Sequence, residues 1–438
     1  MGSYLPNTDA EQQEMLKEAG YKSFDELYSD VPESVLLKDG PDLPPGKSEM
    51  EVRAEVSKLA SENKVYRSIF RGAGSYNHYI PSIVKSVTSK EEFVTAYTPY
   101  QPEISQGILQ SIFEYQTMIC DITGMDVANA SVYDGATATA EAAAMCSGRG
   151  RKRILISSAV NPFVLSTVKT YSFGSGASVE TIPCRDGLTD ADALSGMLGD
   201  DVSCVILQQP NYFGLIEDAE KFAQAAHGSG AKFVMNCYPF ALALLETPGE
   251  CGADIAVGEG QPLGMPMSFG GPYLGYMACT KEMMRKMPGR IVGETHDSEG
   301  RRAYVLTLQA REQHIRREKA GSNICSNESL CAMTAAVYLS AVGPDGFREA
   351  AKQSVSKAHY MQKKLEEAGL RRKYQSEFFN EFVTEGGNAD EILRKLDEAG
   401  ILGGLKLDDG SLLWCCTEMC SREDIDRACG LVKEACGK

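Results

Sequence analysis

Cys204-Val-Ile-Leu-Gln-Gln-Pro-Asn211 reads as a buried strand that ends in a polar tip: four apolar residues, then three carboxamides. β-Branched runs of the same kind stand at 154–157, 179–183, 233–236, 255–258 and 273–279, and helical spacing fills 162–171, 190–198 and 218–228. This alternation predicts a mostly parallel sheet with helices on both faces. Ligands of such sheets sit at the carboxyl ends of the strands. That directs attention to Gln208, Gln209 and Asn211, to Asn236, and to Glu259-Gly-Gln261.

Outward from this core, the first 70 residues read as a helical arm. Thr8 with Glu11, Ser23 with Glu26 and Ser48 with Glu51 stand at capping-box spacing. Pro41, Pro44 and Pro45 interrupt the helices. Beyond the sheet, a long helical stretch from about Leu308 into the 360s leads to strands at 378–383 and 412–416 and helices at 388–399 and 421–436. The fold class is therefore α/β: an arm (1–70), a large α/β domain (71–325), and a linking helix with a small C-terminal α/β domain (326–438).

The chain has 438 residues and a net charge of −16. That charge argues against general binding to nucleic acid or an anionic membrane, both of which need a basic face. The fourteen cysteines are dilute, irregular and often inside apolar runs, as at Cys204 and Cys279. No Cys-x-x-Cys pair occurs, so neither a zinc site nor a disulfide framework is expected. With no apolar signal core or membrane-length apolar stretch, the expected location is the cytoplasm.

Three further stretches carry candidate chemistry. Tyr97-Thr-Pro-Tyr-Gln-Pro-Glu-Ile-Ser-Gln-Gly107 holds phenols, carboxamides, a carboxylate and a hydroxyl on a segment stiffened by two prolines. Apolar helical spacing follows at once, so this rigid polar strip suits a ligand-facing wall as well as it suits a surface loop. Asn77, His78 and Tyr79 follow a glycine-rich segment that lets backbone approach a ligand or a second chain. Gly135, Ala136 and Thr137 open a helix, where glycine and hydroxyls make an anion cradle or an ordinary capped start. No Gly-x-Ser-x-Gly elbow occurs, and His227, His314 and His359 read as solvated helical positions.

The strip, Tyr115-Gln-Thr-Met-Ile-Cys-Asp-Ile-Thr-Gly124, Asn129-Ala-Ser131 and the turn at 134–141 together resemble the glycine dehydrogenases (decarboxylating), the P-proteins of the glycine cleavage system. Leu306-Thr-Leu-Gln-Ala-Arg-Glu-Gln-His-Ile-Arg-Arg317 and Ser322-Asn-Ile-Cys325 extend the likeness over nearly the whole chain.

The resemblance implies an aminotransferase-like fold, that of fold type I pyridoxal phosphate enzymes. It also implies a protein built either as one long chain or as two similar subunits. In the catalytic half of the family an Asp meets the cofactor's ring nitrogen and a Lys carries the imine. Here the matching segments read Phe233-Val-Met-Asn-Cys-Tyr-Pro239 and Gly258-Glu-Gly-Gln261, so Asn236 and Gln261 stand at those positions. A carboxamide cannot form an imine, and a neutral Asn cannot hold the pyridinium proton.

The implied role is that of subunit 1, the α or N-terminal-type subunit. It has no cofactor bound covalently and no metal. It is active only with a lysine-bearing subunit 2, as a heterodimer or dimer of heterodimers. The pair decarboxylates glycine and passes the aminomethyl group to the lipoyl arm of H-protein. Tyr97, Tyr100, Gln101, Glu103, Ser105 and Gln106, backed by Asn77, His78 and Tyr79, are the expected active-site wall or interface. The alternatives are a catalytically silent scaffold and a self-sufficient pyridoxal phosphate enzyme.

Overall fold

A computed structural model describes residues 6–37, 40–94, 99–148, 150–322, 324 and 327–437, in two compact units, 1–64 and 65–438. In the first unit, helices Asp9–Glu18 and Glu49–Ser61 open on the expected capping boxes of Thr8 with Glu11 and Ser48 with Glu51. Ser23 makes no side-chain cap to the short helix Phe24–Leu27. Glu26 accepts the Lys22 N–H instead, which puts the carboxylate one residue out of register.

The second unit is built on seven strands: β1 (Val127–Ala128), β2 (Arg153–Ser157), β3 (Ser178–Ile182), β4 (Val202–Gln209), β5 (Lys232–Cys237), β6 (Ile255–Glu259) and β7 (Gly275–Cys279). They lie in the order β1-β7-β6-β5-β4-β2-β3. Strands β2 to β6 are parallel, and β7 runs against both its neighbours. Side chains alternate between faces with the period of two. Ile154 and Ile156 pack with Val164 and Val168 under helices Gly135–Cys146 and Pro162–Ser175, while Leu155 and Val205 join Leu194, Phe222 and Ala226 on the opposite face. Full burial of each such aliphatic or aromatic side chain stabilises the sheet by roughly 1.5–3 kcal/mol.

A four-stranded antiparallel sheet, in the order Arg371–Arg372, Glu381–Glu385, Leu412–Cys415, Leu405–Lys406, carries helices Ala389–Glu398 and Arg422–Ala435. Its centre is Trp414, fully buried, with the indole N–H donating to Thr384 Oγ1 at 2.8 Å.

Two further expectations fail. The long helix begins at Ser329, not near Leu308, and runs to Ala368 with a break at Gly343. Leu308 and Arg317 both take positive φ, and the basic run forms a single α-helical turn, Gln313–Arg316, between two 3-10 turns rather than part of a long helix. The chain before it forms a hairpin, Ile291–His296 with Arg302–Thr307, that the sequence reading did not mark. The long helix also matches a membrane span by length and composition alone, contrary to the reading of no such stretch. Its Ala332, Ala335 and Tyr338 are fully buried in the core. Among the described residues every cysteine is a free thiol, and no group of His, Cys, Asp and Glu could hold a metal ion.

Candidate active site

The parallel strands end together at a cavity of about 530 Å³, reached by Gln208 of β4, Asn236 of β5 and Glu259 of β6, with Tyr76, Asn161 and Tyr273 around them. Gln208 Oε1 accepts the Asn161 N–H at 2.7 Å. Asn161 in turn caps the helix Pro162–Ser175 and donates from Nδ2 to Ala73 O at 2.9 Å. Gln209 and Asn211 turn away instead: both bond to Glu217 in a buried network, so they are structural.

Gln261 is 1 % exposed and its carboxamide is fully engaged. Oε1 accepts the Tyr76 N–H at 2.9 Å, while Nε2 donates to Tyr76 O at 3.0 Å and to Met265 O at 2.7 Å. A side chain bonded to backbone on both sides is a clamp, holding the loop that carries Tyr76 against the end of β6. Asn236 is buried and donates from Nδ2 to Thr139 Oγ1 at 3.2 Å. Among the described residues that line the cavity there is no lysine. The cavity therefore does not fit a covalently held pyridoxal phosphate: it offers no amine for an imine, and at Asn236 no carboxylate for a ring nitrogen.

Gly135 explains how the cradle is built. A Cβ there would stand 2.7 Å from the Glu259 nitrogen, so only glycine lets the helix Gly135–Cys146 start hard against the end of β6. Glu259 Oε2 accepts the Gly135 N–H at 3.0 Å. Its Oε1 accepts the N–H groups of Gln261 (2.9 Å) and Leu274 (3.1 Å). Burial pushes the Glu259 pKa up, against the pull of these three donors. Asp134 Oδ1 takes the Thr137 N–H at 2.8 Å. Two of the first three N–H groups of this helix thus have a carboxylate of the chain itself as acceptor, with Ala136 between them. Sequence reasoning pointed to Glu259 only as part of the strand-end segment 259–261 and gave it no role. Its place two positions before Gln261, at a strand end, was the available signal.

The other named residues that the structure describes do not line this cavity. Tyr97 is outside the described residues. Tyr100 accepts a hydrogen bond from Arg290 Nη2 at 2.6 Å, and the Arg290 guanidinium carbon lies 4.9 Å from its ring centre. Arg290 is itself buried. Gln106 pins the hairpin, donating to Pro102 O and Tyr304 O and accepting the Tyr304 N–H. Gln101 and Glu103 are exposed, and Ser105 precedes the helix Gln106–Thr123 without capping it.

His78 is buried, its ring stacked on Phe240 at 3.8 Å, with Nδ1 2.7 Å from Glu418 Oε2 and Nε2 bonded to the Tyr238 hydroxyl. Asn77 accepts the Thr417 hydroxyl at its carbonyl, and Tyr79 donates its N–H to Glu418 while its ring stays exposed. Residues 77–79 thus tie the large sheet's loop to the C-terminal domain. Tyr76 does the same, donating its hydroxyl to Glu381 Oε2 at 2.8 Å.

Comparison with known proteins follows the same lines. The family model described as "Glycine cleavage system P-protein" matches residues 2–431. "Probable glycine dehydrogenase (decarboxylating) subunit 1" of Desulforamulus reducens is 50% identical over 434 residues, 97% of each chain. The crystal structure of a glycine decarboxylase (P-protein) of the glycine cleavage system, in inhibitor-bound form, matches with a TM-score of 0.93 and 42% identity, over 99% of this chain and 100% of that one. Alanine–glyoxylate aminotransferase of Nostoc sp. matches at a TM-score of 0.60 and 15% identity, over 92% of this chain and 100% of that one. At that identity the likeness concerns the fold alone, which is aminotransferase-like. On the first three of these matches, the chain belongs to the glycine cleavage system P-protein family.

Proposed function

We propose that this chain is the non-cofactor subunit of a two-subunit glycine dehydrogenase (decarboxylating). In the assembly a second, lysine-bearing subunit holds pyridoxal phosphate, and the aminomethyl group left by decarboxylation passes to the lipoyl arm of H-protein. The observation that carries this is Gln261: where the family's catalytic half has its imine lysine, this chain has a carboxamide already bonded on both sides to backbone. The chain contributes an interface and the rigid surroundings of the entrance, in a cytoplasmic heterodimer or pair of heterodimers.

Reconstitution tests the reading. The purified chain, its partner and their mixture are assayed for glycine decarboxylation, and each is treated with borohydride in the presence of pyridoxal phosphate. Turnover by the mixture, with the label on the partner alone, supports the proposal. A stoichiometric reduced adduct on one lysine of this chain, or decarboxylation by this chain alone, overturns it.

A second reading has a specific observation behind it. Tyr100 and Gln106 spend their polar groups on Arg290 and on the hairpin rather than on open space. That is what a silent scaffold would do, stabilising its partner and docking H-protein.

A further inference from the structure

We propose that Glu259 is the residue that denies this subunit a phosphorylated cofactor, because its carboxylate occupies from within the chain the helix start that a phosphate monoester would need. The inference rests on the reading of this chain as the non-cofactor subunit and adds a cause to it. Loss of an imine lysine removes a covalent bond; it leaves the contacts to a phosphate untouched. Something else must decide whether the phosphate end still binds.

A helix N-terminus holds phosphate through its free N–H groups. Here the Gly135 N–H is taken by Glu259 Oε2 at 3.0 Å and the Thr137 N–H by Asp134 Oδ1 at 2.8 Å. An incoming phosphate would have to displace one carboxylate beside another. Nor can Glu259 swing aside at no cost. Its second oxygen holds the N–H groups of Gln261 and Leu274, which would be left without that acceptor, and its backbone is pressed against Gly135. The competing view is that Glu259 is a structural tie and nothing more. The two views differ in what happens when the carboxylate is removed.

The test measures binding of pyridoxine 5′-phosphate, which has no aldehyde and so cannot label surface lysines, and of pyridoxine as the control lacking phosphate. Equilibrium dialysis is run on the full-length chain and on Glu259→Ala, Glu259→Gln and Glu259→Asp, with circular dichroism as the check on folding. Wild type and Glu259→Asp are expected to show no saturable binding of either probe. Glu259→Ala is expected to bind the phosphate at least about tenfold more tightly than wild type does, with no gain for pyridoxine. Glu259→Gln keeps the shape without the charge and moves in the same direction, so it carries the test if the alanine variant does not fold.

Wild type binding pyridoxine 5′-phosphate as tightly as the folded variants do would overturn the proposal. So would folded Glu259→Ala and Glu259→Gln variants that bind no better than wild type. Either result leaves the reconstitution experiment standing, since turnover of the wild-type mixture is independent of what these variants bind.

Discussion

Replacing Gln261 by leucine removes the clamp while nearly keeping its volume. The Tyr76 N–H, the Tyr76 carbonyl and the Met265 carbonyl then lose their partner in a place that is 1 % exposed. A buried polar group left unpaired costs about 1–3 kcal/mol, and burying the leucine side chain offsets part of the sum, so the net loss should be about 2–5 kcal/mol. Gln261→Lys should be no milder. Its ammonium can donate to both carbonyls but cannot accept the Tyr76 N–H, and it must be desolvated. Guanidinium denaturation of the full-length variants, followed by circular dichroism, measures the loss. Borohydride reduction with pyridoxal phosphate, followed by peptide mass analysis, asks whether the new lysine forms an imine, and it should not. Gln261→Leu within about 0.5 kcal/mol of wild type would refute the clamp. A reduced adduct at position 261 in Gln261→Lys would refute the claim that this cavity cannot hold the cofactor covalently.

Three further outcomes are expected. Tyr100→Phe should destabilise the chain by about 1.5–3 kcal/mol, the worth of a hydrogen bond to a buried guanidinium, whereas Gln101→Ala, on an exposed side chain, should leave stability within about 0.5 kcal/mol and lower kcat/KM of the assembled enzyme; unchanged turnover assigns the strip to structure. Burial pushes the Glu381 carboxyl up from 4.5 to about 7, so between those values the folded chain holds a proton that the unfolded chain has lost, and stability falls as pH rises through that window by about 3 kcal/mol; denaturation midpoints from pH 5 to 8 should fall less steeply for Glu381→Gln, and parallel curves would sink the assignment. Arg316 lines a basic hollow with Arg285, Lys286 and Lys319, so if this surface steers H-protein, kcat/KM should fall as salt brings the Debye length below roughly 10 Å, and Arg316→Gln combined with Arg317→Gln should flatten that fall.

The central sheet was legible because its parallel strands are buried on both faces. Val202–Gln209 and Lys232–Cys237 have little choice but to be continuous apolar runs, and runs of that kind announce themselves. The hairpin was not legible: the outer half of Ile291–His296 is exposed and polar, so its alternation fades after two residues. The turns at 309–319 were misread because the letters suit a helix. What breaks it is the positive φ at Leu308 and Arg317 together with the pull of Arg311 toward Leu308 O and Gly289 O. At the site, Gln261 and Asn236 could be found by register within a motif. The partnership of Tyr100 with Arg290 spans 190 residues and no local pattern encodes it. The position of Glu259 at a strand end was legible, but its role was not, since a carboxylate there says nothing of the helix that will be brought against it.

The long helix has a consequence for how the second unit folds. After its break at Gly343 it places Phe347 and Ala351 in the core of the large sheet's flank, and two turns later Ala358, Met361 and Leu365 in the core of the C-terminal domain. One uninterrupted run of backbone hydrogen bonds therefore forms a wall of both cores. Neither can melt alone without fraying a helix on which the other still depends, so the free energy of opening one is charged partly to its neighbour. Two hydrophobic cores joined by a loop would come apart as two events. These two share a rod, and residues 65–438 should lose their structure in a single cooperative step.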